Sequence, residues 1–70
     1  MNCFYEVFDD CDNTAFGYYR TFYRAYQASA EYNEECENDI PDMGQVWREI
    51  EEWGSCSVGC HTIRRIELSD

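Results

Sequence analysis

Residues 21–42, TFYRAYQASAEYNEECENDIPD, restrict the fold more than any other part of the chain. Ala25, Ala28, Tyr32 and Cys36, with Ser29 alongside, recur at the i, i+3, i+4, i+7 spacing of a helix with one buried face. Thr21 suits an N-cap, and Pro41 requires the helix to have ended before it. The last turns then carry Glu31, Glu34, Glu35, Glu37 and Asp39, where the helix macrodipole favours cations. Carboxylates kept where they destabilise point to a partner.

Charge narrows the choice of that partner. The 70 residues hold fifteen carboxylates against five basic side chains, all of them Arg, for a formal charge of −10. Such a chain is repelled by nucleic acid and by anionic membranes, so its natural partner is a basic protein surface. One domain is expected, small enough to need a dense core, and an aromatic content of 17 % implies that large rings fill it. No apolar stretch approaches the length that crosses a bilayer. Met1-Asn2-Cys3 leads into an aromatic run with neither a basic nor an apolar leader region. The expectation is therefore a cytoplasmic protein with reduced thiols. In an exported chain, Cys3, Cys11, Cys36, Cys56 and Cys60 could instead form two bridges and leave one thiol free.

Around the long helix, residues 3–8 (CFYEVF) read as a strand with two largely apolar faces, and 15–20 (AFGYYR) as its antiparallel partner. The turn between them is acidic, at Asp9, Asp10 and Asp12. Asp42 and Gln45 resemble a capping box, and Val46, Ile50 and Trp53 follow at i, i+4 and i+7 before Gly54. A second, shorter helix over residues 43–53 results, with a strand as its rival because Val, Trp and Ile favour sheets. Residues 54–59 read as a loop. Residues 60–68 read as a strand with Cys60, Thr62, Arg64, Ile66 and Leu68 on one face, where Ile63 implies a bulge or cover on both sides. The expected class is α+β: a small antiparallel sheet, built from an N-terminal hairpin and a C-terminal strand, packed against one long and one short helix.

Three motifs compete with the acidic surface as the seat of function. Cys56, Cys60 and His61, with Cys36 or Cys11 as fourth ligand, could hold zinc or form a redox-responsive domain, but the spacing is one residue longer than the common knuckle. Buried free thiols fit better, so no metal and no cofactor is expected. Residues 10–13 open like a calcium loop but lack its glycine and closing glutamate. Phe16, Tyr18, Tyr19, Phe22, Tyr23 and Tyr26, interleaved with Arg20 and Arg24, could stack on single-stranded nucleic acid, against which the net charge argues. His61 is the single histidine, and its neighbour Cys60 points to the other strand face, so no nucleophile–base pair is expected and the chain reads as a non-enzyme.

There remain Asp9, Asp10 and Asp12, then Glu31, Glu34, Glu35, Glu37, Asp39 and Asp42, then Glu49 and Glu52, as the candidate partner-binding set. Its plain reading is dispersal of a small protein by charge. Its sharper reading is mimicry, with spaced carboxylates standing in for phosphates. A short, acidic, tyrosine-rich single domain without a catalytic motif resembles the small phage-encoded inhibitors of host defence, the anti-CRISPR and DNA-mimic class. The likeness lies in size, charge and composition and carries over no individual residue. It implies stoichiometric binding, in the host cytoplasm, to a basic groove on a nuclease or effector complex. The other possibility is an adaptor with an unrelated protein partner.

Overall fold

The computed structural model describes residues 3–68. Among them, β1 (Cys3–Asp9) and β2 (Thr14–Tyr19) form the opening hairpin, followed by α1 (Phe22–Glu35), α2 (Met43–Trp53), β3 (Ser55–Val58) and β4 (His61–Glu67). The four strands make one antiparallel sheet in the order β2-β1-β4-β3, with both helices on one face. The α+β expectation is therefore correct, and the segment over residues 43–53 is helical.

The alternation of β1 sets the layers. Tyr5 and Val7 point to the helices, where they join Ile63 and Val58 of the sheet with Val46 and Ile50 of α2. Each such aliphatic side chain contributes about 1.5–3 kcal/mol by leaving water. The register between β1 and β2 slips at Val7/Phe8, so that Val7 pairs with Gly17, Phe8 pairs with Ala15 and Phe16 is the extra residue. This bulge turns Phe16 to the helix side, where its ring lies 4.8 Å from that of His61.

Helix α2 begins as its sequence suggests. Asp42 accepts the N–H of Gln45 at 2.9 Å, and Gly54 closes the helix in the left-handed region at φ 85°. Its buried stripe differs in one place: Trp47, not Trp53, packs into the core, 5.0 Å from the Phe22 ring. Trp53 is 73 % exposed. Val46 and Ile50 define a stripe that either Trp could flank, and Trp47 is the one facing the Tyr5–Phe22 aromatic cluster.

Helix α1 departs further from expectation. Thr21 is its N-cap, accepting from the Arg24 N–H at 3.3 Å. Its buried stripe, however, is Ala25, Ser29 and Asn33, while Tyr32 and Cys36 are exposed. The phase is shifted because the buried positions are polar and are satisfied by hydrogen bonds rather than by apolar contact. The helix also stops at Glu35, earlier than Pro41 demands. Asn38 N–H bonds to Asn33 O at 2.9 Å and Glu37 N–H to Glu34 O at 3.1 Å, a Schellman ending. Glu37 and Asp39 thus lie beyond the helix. The connecting segment returns along α1, fixed by the Tyr26 hydroxyl donating to Pro41 O at 2.8 Å.

One expectation fails at the C-terminal end. The supposed loop over residues 54–59 contains β3, which pairs Cys56 with Ile63 and Val58 with His61. A two-residue turn, Gly59-Cys60, joins β3 to β4, with Gly59 at φ 62°. A glycine opening a two-residue turn between alternating residues is the signal that could have shown it. In β4 the core face is His61 and Ile63; Thr62, Arg64 and Ile66 lie on the other face. Pairing with β1 runs without a slip from Cys3↔Glu67 to Asp9↔His61, so Ile63 marks no bulge.

Glu37 occupies the left-handed C′ position at φ 59°, where glycine carries no steric penalty. Glu37→Gly is expected to raise stability by about 1 kcal/mol, read as a rise in Tm of about 4–8 °C. At Gly59 an added Cβ would collide with Asn33 Oδ1. Gly59→Ala should cost about 2 kcal/mol or more in a urea titration, through strain and displaced hydrogen bonds.

Candidate functional site

The acidic set divides by what each carboxylate does in the fold. Asp9 is buried, and its Oδ1 accepts the N–H groups of Cys11 at 2.9 Å and Asp12 at 3.2 Å, holding the β1–β2 turn. It is a turn residue with no surface to offer a partner, which corrects its place in the set. Asp10 is exposed and accepts from the Thr62 hydroxyl at 3.0 Å. Asp42 caps α2 yet stays exposed, and Glu49 is half-buried. Asp12, Glu31, Glu34, Glu35, Glu37, Asp39 and Glu52 are exposed. Glu31, Glu34 and Glu35 line one shallow hollow on the outer side of α1.

Among the described residues, the ion pairs are Arg64–Glu6 and Arg65–Glu67. None of the candidate carboxylates takes part in either. At the other end of α1, Arg20 and Arg24 line a groove of about 480 Å³ with Tyr18, Tyr19 and Gln27, and Glu31 sits where groove and hollow adjoin. Helix α1 has no acidic residue in its first turn and no basic residue in its last. Its charges therefore run against its macrodipole at both ends.

The sequence reading missed a buried polar cluster behind this surface. Ser29, Asn33 and His61 are each fully buried. The Asn33 amide donates to Ser29 O at 2.9 Å, to Ser29 Oγ at 3.2 Å and to Val58 O at 3.1 Å. Its Oδ1 accepts from Cys60 N–H at 3.2 Å and from the Asn38 amide at 2.9 Å. Ser29 Oγ lies 2.8 Å from His61 Nδ1. Nε2 is buried without a hydrogen-bond partner. The imidazole is held between Phe16 and Tyr32, each with ring centroids 4.8 Å away.

Ser29 and His61 have the contact of a nucleophile and its base. Both are sealed from solvent, so the contact connects α1 to β4 rather than facing a substrate.

Compared with known proteins, the chain matches no family, no curated sequence and no solved structure.

The thiols scatter. Cys56 is buried against Ile63, and desolvation first, then the Glu49 carboxylate, pushes it up to about 11. Cys3 and Cys60 are half-buried, while Cys11 and Cys36 are exposed, against the expectation that Cys36 lines the buried helical face. Among the described residues no three His, Cys, Asp or Glu side chains are arranged to hold a metal ion. No helix there is long and apolar enough to cross a membrane.

Burial lowers the His61 pKa from its ordinary 6.5, and the Asp9 and Asp10 charges offset this only in part. The unfolded chain therefore binds the extra proton first, and stability is full above pH 6.5 and falls as pH drops below it. Urea titrations between about pH 7.5 and 5 should show that loss in the wild type and its absence in His61→Gln. An NMR titration of the His61 ring should give a midpoint below the ordinary value.

Proposed function

We propose that the chain works by binding, without turnover of its own, and that its acidic surface occupies a basic nucleic-acid-binding groove on a partner protein. Nucleases and defence effector complexes present such grooves. The mode of action is then that of the anti-CRISPR and DNA-mimic inhibitors it resembles in size and charge. The observation that carries this reading is the lack of internal use for the charge. The exposed carboxylates of α1 and of the segment after it make no ion pair among the described residues, and they stand where the helix dipole disfavours them. Charge that costs stability and satisfies nothing inside is available for a partner. Carboxylates repeating along a rigid helix also present negative charge at fixed intervals, as a phosphate backbone does.

Glu31, Glu34 and Glu35 lie three and four residues apart, and like charges at that spacing destabilise a helix by about 0.2–0.5 kcal/mol per pair. Replacing Glu34 and Glu35 together by Gln should leave the fold intact and raise Tm slightly. The same variant should bind a basic groove more weakly, and wild-type binding should weaken steeply with salt. The measurement pairs a thermal melt with a titration, at two ionic strengths, against a nuclease or effector complex captured from the native host. A variant that melts lower and binds unchanged would make these carboxylates structural and remove the main support for the proposal.

A further inference from the structure

The sheet face turned away from the helices is uncovered, and it is not the polar face that an exposed antiparallel sheet normally shows. Phe4 and Phe8 of β1 and Ile66 of β4 lie there half-buried, with Tyr18 of β2 61 % exposed and packed edge-on against Phe4 at 5.8 Å. Their shared side follows from the register, in which Phe4 pairs with Ile66, Glu6 with Arg64 and Glu6 with Tyr18. At the centre, Arg64 Nε donates to Glu6 Oε1 at 2.9 Å, so the one carboxylate here is neutralised in place. In a molecule of charge −10, this is a face on which charge cancels. A small cleft between Phe8, Thr62 and Arg64 adds relief at one end.

The two ends of the face differ in sign. Asp10 marks the Phe8 end, bonded to Thr62. Arg20 follows β2 at the Phe4 end, since Tyr19 pairs with Tyr5, and it makes no ion pair among the described residues. A surface with an apolar middle, a neutral centre and opposite charges at its ends is complementary to itself when one copy is reversed. A two-fold axis lying between two such sheets and running across the strands brings each Asp10 end to the other copy's Arg20 end. That is the isologous arrangement of most homodimers. We propose that a second copy of this chain covers the open sheet face, with Phe4, Phe8, Tyr18 and Ile66 as its apolar centre and Asp10 meeting Arg20 at both ends.

The face is small. Four strands of four to seven residues outline an area of about 400 Å² per copy. That is about half the area per partner of a standard specific interface, in the range of transient encounters, so the dimer is weak and concentration-dependent. Two copies also repel through their net charge, and salt screens that repulsion. The dimer therefore tightens as salt rises, the opposite of binding through the acidic surface, so failure of one proposal is distinguishable from failure of the other.

The test is sedimentation velocity of the full chain over a range of concentrations, at about 50 mM and about 500 mM salt. Wild type should shift toward dimer with concentration, and more so at high salt. Tyr18→Asp, at an exposed position, should weaken association about tenfold or more with an unchanged circular dichroism spectrum. Asp10→Arg and Arg20→Asp should each weaken it, and the double variant, which restores the charge of −10, should recover it. Recovery separates pairing across the interface from local disturbance of the β1–β2 turn. A wild type that stays monomeric throughout at high salt overturns the proposal. So does a dimer indifferent to Tyr18→Asp, or one that the double reversal fails to restore.

Discussion

The amide of Asn33 ties the β3–β4 turn to helix α1. It sits fully buried in the last turn of α1, and it engages Ser29 of its own helix, Val58 and Cys60 of the β3–β4 turn, and Asn38 of the outgoing chain. A buried amide left without partners would cost more than most apolar contacts supply, whereas one with every site filled fixes a single geometry. The turn it receives must bring backbone within hydrogen-bond reach, which Gly59 permits by having no Cβ. From that anchor, Ser29 positions His61, and His61 with Phe16 and Tyr32 closes the end of the core opposite the Phe22–Trp47 cluster.

This anchor also explains which parts of the fold were legible. The opening hairpin and α2 could be read because their signals are local: aromatic alternation around an Asp/Asn turn, Asp42 and Gln45 at one helix end, Gly54 at the other. The phase of α1 was not, because hydrophobicity cannot mark Ser29 and Asn33 as interior. Only the partners that arrive from 25 to 32 residues away make them so. The alternation of β4 was legible, with Thr62, Arg64 and Ile66 on one face, but not that His61 faces the core, since it counts as polar until Ser29 and two aromatic rings are placed around it. Strand β3 is four residues long and exists through its pairing with β4. Of the acidic set, sequence located the charges but could not separate Asp9, which serves its own turn, from Glu34 and Glu35, which serve nothing internal.

The molecule thus sorts its polar groups by depth. Amides, a hydroxyl and one imidazole work inside, joined by short hydrogen bonds, while most carboxylates stay outside and unpaired. Two carboxylates are exceptions: Glu6, buried on the open sheet face under Arg64, and Asp9, buried where it holds its own turn. Charge reversed against the dipole of α1 is tolerated because stability is set elsewhere, by the Val46–Ile50–Ile63 interior and the Asn33 anchor. A surface freed from structural duty in this way can change its charges with little consequence for the fold.

The strand order has a consequence for how the chain is made. The two central strands, β1 and β4, stand at opposite ends of the described sequence, and their pairing reaches from Cys3 to Glu67. During synthesis β1 leaves the ribosome with only β2 as a neighbour, and its other edge stays open until β4 has emerged. The β1–β2 hairpin and α2 can form from local contacts, but neither has a core to close on. Assembly is therefore a late, nearly all-or-none event, in which arrival of the last strand joins two halves that until then share no sheet.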